Sequence, residues 1–260
     1  MLHSKKSLGQ HFLKDEIVAK KIVSFFRESG TYNTVLEIGP GKGALTKFLV
    51  AENFPDFLAI ELDSRLIPIL EKQFPTLANR IFNQDFLSFD LDKIRGDQIG
   101  IIGNFPYNIS TQIIFRILDN MNRVPLMVGM FQREVAKRIV SPEGNKEYGI
   151  LSVLVQTFYD VEYLLDVNRE CFSPLPKVQS GVIRMQRREQ LPYLSDVTQF
   201  FRLVKCGFGQ RRKTLRNSLK EWGLSPEIAT DELLHKRAEQ LPVNEWISLS
   251  NRIAAKTPLM

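Results

Sequence analysis

Asn104-Phe105-Pro106-Tyr107 sets an amide, a rigid turn and an aromatic ring side by side, directly after the apolar run Ile99-Gly100-Ile101-Ile102-Gly103. An aromatic face can hold a planar base. An amide oxygen and carbonyls fixed by a proline can accept hydrogen bonds from an exocyclic amino group. Chemistry on a nucleobase is the reaction class these residues suggest. Taken alone, such a tetrapeptide is more often an ordinary strand-ending turn, so the reading depends on what else the chain brings to it.

Three earlier stretches end in the same way. Thr34-Val35-Leu36-Glu37-Ile38 reads as a short buried strand, followed by Gly39-Pro40-Gly41-Lys42-Gly43 and an apolar helix through Leu45, Phe48, Leu49 and Val50. Glycines there permit a tight turn and close backbone approach to a ligand at a helix N-terminus, although the spacing is neither the dinucleotide fingerprint nor a P-loop. A second strand, Phe57-Leu58-Ala59-Ile60-Glu61, ends in an acid 22 positions after Gly39, where an open α/β sheet puts a carboxylate within reach of a ribose diol. A third, Arg80 to Phe86, brings Asp85 to accept from an adenine amino group and Phe86 to cover the ring. Each acid alone is as readily a helix cap or a surface charge. Four strand ends in succession instead line one crevice of a parallel sheet, the place where ligands of that architecture bind.

Around these strands the pattern is helical. Ile17, Val18, Ile22, Val23 and Phe26 fall at helical spacing after a basic lead from Ser4 to Leu13, and Ser110 can cap a helix through Ile113, Ile114, Ile117 and Leu118. Leu126–Phe131 reads as a fifth strand, Gln132–Val140 as helix, Ser141–Gly149 as a turn-rich loop long enough to border the crevice, and Ile150–Phe158 as helix. Strands near Val161–Val167 and Gly181–Gln186 flank a proline-stiffened loop that can present Phe172 and Lys177. After Arg187 the period is helical throughout, over Val197–Phe208, Arg211–Trp222, a short piece from Pro226, and Pro242–Ala255.

The net charge of +6 is unevenly placed: residues 184–260 hold 14 Lys/Arg against 8 Asp/Glu, while the preceding residues hold 21 of each. A basic appendage on a neutral body suggests a polyanionic partner, and solvated helix faces are the plain alternative. Arg211, Arg212, Lys213 and Arg216 crowd the expected helix start, where cations oppose the macrodipole, so phosphate contact is the better account of them. Cys171 and Cys206 have no metal-ligand spacing and His3, His11 and His235 are scattered, so no disulfide framework or metal site is expected. No signal-peptide core or membrane-length apolar run is readable, and a cytoplasmic protein without membrane contact is expected.

Gln10-His11-Phe12-Leu13, Glu37 to Thr46, Asn104 to Tyr107, Phe172 to Ser180 and Phe208 to Leu215 occur in the order and spacing of the ribosomal RNA adenine dimethyltransferases. Over nearly its whole length the chain resembles the small-subunit adenine-N6,N6-dimethyltransferases, the kasugamycin-resistance dimethyltransferase family. The resemblance implies an α/β fold, a Rossmann-like class I methyltransferase sheet over residues 1–188 with a small C-terminal all-helical RNA-binding domain over 189–260. It implies S-adenosyl-L-methionine as methyl donor, held by Gln10, His11, Leu13, Gly39, Gly41, Glu61, Leu62, Asp85, Phe86 and Asn104. It implies transfer to N6 of two adjacent adenines near the 3′ end of 16S ribosomal RNA in the small subunit, by a monomer that needs no metal. Asn104, Pro106, Tyr107 and Phe172 are the expected catalytic residues, and Lys177, Arg211, Arg212 and Lys213 the expected RNA contacts. Phe105 departs from the leucine or other modest apolar residue usual in the family and is expected to face the body of the domain. Two alternatives stand beside this reading: a large-subunit adenine methyltransferase of the antibiotic-resistance type, and a non-catalytic RNA-binding assembly factor.

Overall fold

The computed structural model describes residue 5 and residues 8–30, 32–54 and 56–256, so Ser4, Lys6 and Ser7 of the basic lead lie outside the described residues. The chain forms two compact units, Met1–Ala136 with Val161–Arg187, and Lys137–Asp160 with Arg188–Met260.

In chain order the elements are β1 (Phe12–Leu13), α1 (Glu16–Arg27), β2 (Thr34–Ile38), α2 (Thr46–Ala51), β3 (Phe57–Ile60), α3 (Ile67–Gln73), β4 (Ile81–Phe82), β5 (Ile99–Asn104), α4 (Ser110–Asp119), β6 (Leu126–Gln132), α5 (Arg133–Val140), α6 (Ile150–Phe158), β7 (Tyr159–Val167), β8 (Phe172–Ser173) and β9 (Ser180–Arg187). Seven strands form one sheet in the order β4-β3-β2-β5-β6-β9-β7. The run from β4 to β6 is parallel and β9 is antiparallel to β6. All five residues of β2 and the first five of β5 are buried, as expected of central parallel strands covered on both faces. α1 starts where Asp15 accepts from the N–H groups of Ile17 and Val18 at 2.9 and 3.1 Å, a cap that satisfies two otherwise unpaired donors.

The register aligns the strand ends. Glu37 pairs with Ile102 and Ile38 with Ile60, so Gly39, Glu61 and Asn104 all emerge at the carboxyl edge. β4 is shorter than the alternation suggests. Beyond Phe82 the Asn83 side chain donates to the Glu61 and Leu62 carbonyls at 2.8 and 3.3 Å, and Asp85 accepts from Leu87 N–H at 2.9 Å. These side chains take over the bonding that a longer ladder would provide. Ser110 is not a cap either: its hydroxyl donates to the Tyr107 carbonyl at 3.2 Å. A separate ribbon pairs Phe12 with Ser173 and Leu13 with Phe172.

The second unit contains α6, α7 (Val197–Gly209), α8 (Leu215–Ser218), α9 (Pro226–Ala229) and α10 (Val243–Lys256). Trp246 is fully buried and stacks on Phe208 with centroids 5.7 Å apart, in space that a side chain at Gly207 would fill. The helix expected over Arg211–Trp222 is broken. Lys213 N–H closes a turn on the Gln210 carbonyl at 2.8 Å, Thr214 pairs with Arg237, and Leu215 N–H donates to the Lys236 carbonyl at 2.8 Å. A pairing across more than twenty residues thus captures a donor that a continuous helix would have used. The loop 141–149 is bound within the same unit: Gly144 N–H donates to the Glu239 carbonyl at 2.7 Å and the buried Tyr148 hydroxyl to the Leu241 carbonyl at 2.9 Å. Among the described residues no helix is long and apolar enough to cross a membrane, and no group of three or more His, Cys, Asp or Glu could hold a metal ion.

Candidate active site

The carboxyl edge of the sheet opens into a cleft of about 1080 Å³, open to solvent and walled by residues 8–13, the β2–α2 turn, Glu61, Leu62, Gln84–Phe86 and Asn104–Ile109. The turn bends through Gly39 and Gly41 at φ 66° and 60°, in the left-handed region that favours glycine. At Gly41 space adds to the requirement, since a Cβ would meet the Phe12 ring at 3.0 Å. Its free N–H donates to Glu61 Oε2 at 3.0 Å.

Glu61 is buried, and Asp63 N–H donates to its other oxygen, Oε1, at 2.8 Å. Burial pushes its carboxyl up, against the pull of those backbone donors. Each oxygen accepts one of these N–H groups, and the Leu62 N–H adds a further downward pull. Asp63 behaves in the opposite way: Arg65 grips it with Nε at 2.8 Å and Nη2 at 2.6 Å, and this guanidinium holds the carboxyl well below the usual range. Gln10 Nε2 also donates to Asp63, at 3.0 Å. Asp85 is partly exposed, with Oδ1 engaged by Leu87 N–H and Oδ2 without a hydrogen bond among the described residues. Beside it Leu62 is 49% exposed and Phe86 only 3%, so Leu62 offers the open apolar surface and Phe86 underlies the wall.

Glu37 was not singled out from the sequence, yet it lines the cleft. It is buried, accepts from the Thr46 hydroxyl at 2.6 Å, and is pushed up to about 8, chiefly by burial and further by the Glu61 charge. The available signal was an acid inside an otherwise apolar strand, a position that demands either a partner or a proton.

At the end of β5, Asn104 Nδ2 donates to the His11 carbonyl at 2.9 Å. That bond fixes the amide and leaves Oδ1 as its unengaged acceptor among the described residues. The Pro106 carbonyl accepts from Ile109 N–H at 3.2 Å, using one of its two lone pairs. The Tyr107 and Ser180 hydroxyls hydrogen-bond each other at 2.6 Å, and the Tyr107 ring stacks on His11 with centroids 5.4 Å apart. Phe105 is fully buried, facing the body of the domain as expected. Its ring occupies the space that side chains at Gly103 and Gly129 would need, since Cβ atoms there would lie 2.6 and 2.1 Å from it.

The segment before α1 ties these groups together. Gly9 packs on Asn108, Gln10 reaches Asp63, the His11 carbonyl holds Asn104, and Phe12 lies against Gly41 with Lys42 Nζ 4.8 Å from its ring centroid. Leu13 is buried and lines the cleft. Gln10, His11, Leu13, Gly39, Gly41, Glu61, Leu62, Asp85, Phe86, Asn104, Pro106 and Tyr107 are therefore brought to one cavity.

Phe172 is not among them. It is 2% exposed and belongs to the core cluster with Leu13, its partner in the β1–β8 ribbon. Lys177 is exposed on the loop between β8 and β9. Arg211, Arg212 and Lys213 follow the C-terminal end of α7, where the macrodipole favours cations, and precede the four-residue α8, which holds Arg216. The Arg211 guanidinium donates to the Lys146 carbonyl and, at 3.0 Å, to that of Tyr148. Arg212 and Lys213 are exposed.

The model of the ribosomal RNA adenine dimethylase family matches residues 1–255. A protein of Cytophaga hutchinsonii named ribosomal RNA small subunit methyltransferase A is 47% identical over 97% of this chain and 98% of its own length. One of the same name from Flavobacterium johnsoniae is 48% identical over 97% and 96%. Among solved structures, a dimethyladenosine transferase from Plasmodium falciparum superposes with a TM-score of 0.81 at 25% identity, covering 95% of this chain and 98% of that one. The 23S ribosomal RNA methyltransferase ErmE shares the fold, with a TM-score of 0.65 at 23% identity over 94% and 99% of the two chains. The sheet order and the cleft at its carboxyl edge are those of a Rossmann-like class I methyltransferase, and the chain belongs to the ribosomal RNA adenine dimethylase family.

Proposed function

We propose that this protein dimethylates N6 of two adjacent adenines in a hairpin loop near the 3′ end of 16S ribosomal RNA, with S-adenosyl-L-methionine as methyl donor. The observation that carries the reading is the state of the Asn104 amide. With Nδ2 committed to the His11 carbonyl, Asn104 offers the cleft an acceptor alone, the complement of an exocyclic amino group. The two relatives that match at 47 and 48% identity both carry a small-subunit name, which favours the small over the large subunit.

The cleft residues fit the methyl donor. Glu61 lines the cleft with a carboxyl that can accept from ribose hydroxyls, and Asp85 Oδ2 is open to an adenine amino group. Leu62 offers apolar surface to the ring with Phe86 beneath it, Gly39 and Gly41 permit close backbone approach, and Gln10, His11 and Leu13 complete the wall. When bound, S-adenosylmethionine supplies a methyl group activated by its sulfonium.

The chain's own task is to make a weak nucleophile react, because the N6 lone pair is delocalised into the purine ring. Asn104 Oδ1 and the remaining lone pair of the Pro106 carbonyl accept the N6 hydrogens of the unmethylated amine, which draws the nitrogen towards a pyramidal geometry and localises its lone pair; each methyl gained displaces one N6 proton to solvent. Tyr107 holds the ring. Catalysis then rests on positioning and directed hydrogen bonding. The target base must be unpaired or flipped out, and a loop adenine costs least. Residues 1–188 carry the transfer in this reading, while residues 189–260 hold RNA through Arg212 and Lys213, with Lys177 contributing from the first part. Arg211 secures the loop that contains Lys146 and Tyr148. The protein works as a cytoplasmic monomer.

The decisive assay offers labelled S-adenosylmethionine to unmodified small subunits, large subunits and free RNA in parallel, followed by nucleoside analysis. Dimethyladenosine confined to small-subunit RNA is expected. Incorporation into large subunits, or none where the cofactor binds, would overturn the assignment.

A further inference from the structure

Ser180 opens β9, fully buried, opposite Gln132 at the end of β6. Among the described residues its hydroxyl makes one side-chain hydrogen bond, to the Tyr107 hydroxyl at 2.6 Å. A tyrosine oxygen lies on the axis about which its ring turns, so a bond to that oxygen fixes where the axis points and leaves the ring plane undetermined. His11 supplies the missing constraint. Its ring stacks on Tyr107 with planes 28° apart, and its Nδ1 donates to the Pro174 carbonyl at 2.9 Å. One contact aims the axis and the other sets the plane, with one face of the ring covered by imidazole.

We propose that Ser180 is a positioning residue for methyl transfer: it aims the Tyr107 ring, whose face away from His11 receives the target adenine. The inference rests on the reading of Tyr107 as the residue that holds the base. Ser180 touches neither base nor cofactor in this arrangement. Its effect reaches the reaction through the tyrosine, so removing its hydroxyl lowers turnover and leaves binding of the methyl donor alone.

Ser180→Ala, Tyr107→Phe, their double variant and Tyr107→Ala are assayed on unmodified small subunits, together with melting temperature and the dissociation constant for S-adenosylmethionine. Ser180→Ala and Tyr107→Phe are expected to lower kcat by the same factor, ~10-fold, the scale of a small displacement of a reacting group. Cofactor affinity stays at the wild-type value. The double variant falls no further than either single one, because both changes delete the same bond. Wild-type kcat in Ser180→Ala, or a double variant equal to the product of the singles, overturns the proposal. If Ser180→Ala does not fold, Tyr107→Phe removes the bond from its other end, and wild-type kcat there is equally fatal. Full activity in Tyr107→Ala removes the base-holding reading and the Ser180 proposal with it. An inactive Tyr107→Ala beside a fully active Ser180→Ala removes the role of Ser180 alone.

Discussion

Asn104→Ala deletes both ends of one amide: the Nδ2 bond to the His11 carbonyl at 2.9 Å and the Oδ1 acceptor in the cleft. The two losses differ in kind. The His11 bond is partly buried and neutral, so its removal costs about 0.5–1.5 kcal/mol of stability. Loss of an oriented acceptor at a reacting group costs ~100-fold to ~1000-fold in kcat. The variant should therefore fold, bind S-adenosylmethionine, and turn over at least ~100-fold more slowly, equivalent to about 2.7 kcal/mol of barrier. Asn104→Asp separates the two functions. It keeps an acceptor but places a carboxylate oxygen against the His11 carbonyl, and only the protonated acid can donate there. That preference for the neutral form raises its pKa, so the aspartate variant should fall between wild type and alanine and gain relative activity as the pH is lowered. Initial rates on unmodified small subunits from about pH 5.5 to about pH 8.5, a window that spans raised carboxyl values, together with calorimetric cofactor titration, would measure both effects. Wild-type turnover in the alanine variant, or a pH profile in the aspartate variant identical to wild type, would refute the acceptor assignment.

Glu37 should make the protein less stable as the pH rises. Its carboxyl is pushed up to about 8 in the fold, so between the ordinary glutamate value and that point the native state binds the extra proton and stability falls, by at most about 1.4 kcal/mol per pH unit. Urea unfolding of Glu37→Gln should show that slope removed, and an unchanged slope would mean that the acid is ionised in the fold. Phe172→Ala should cost about 3–5 kcal/mol as a core truncation, again read by urea unfolding; an unchanged midpoint would put the ring outside the core. Arg211→Ala should speed protease cleavage within residues 141–149, because two carbonyl anchors are lost. Arg212→Gln with Lys213→Gln should instead flatten the salt dependence of RNA binding, by about 0.7–0.9 in logarithmic slope per lost phosphate contact. If the double change leaves that slope intact, both side chains are solvated surface only.

Most of the cleft was legible in the sequence because its signals are local. A buried apolar run, a glycine turn and an acid at the next strand end each follow from a few adjacent residues, and the register of β2, β3 and β5 then brings them together. What escaped depends on partners far along the chain. β4 stops early because Asn83 bonds to Glu61 and Leu62, the Arg211 region leaves the helix because Thr214 pairs with Arg237, and Phe172 joins the core with Leu13, its partner in the ribbon. No periodicity in those segments reports such pairings. Glu37 and Ser180 escaped for another reason. Glu37 inside an apolar strand and Ser180 at the start of one both look like tolerated polar residues until the hydroxyl each one meets is known.

The segment from Gly9 to Phe12 has a consequence for the order of events at the cleft. One short stretch of chain abuts the glycine turn through Phe12, reaches the β3 edge through Gln10, and holds Asn104 and Tyr107 through His11. On the proposed reading, the compartment for the methyl donor and the compartment for the base share a wall. Any shift of that wall when one is filled changes the affinity of the other, and equilibrium linkage makes the effect equal in both directions. A ribosomal subunit seated on the protein would then change the hold on the methyl donor by the same factor as the donor changes the hold on the loop.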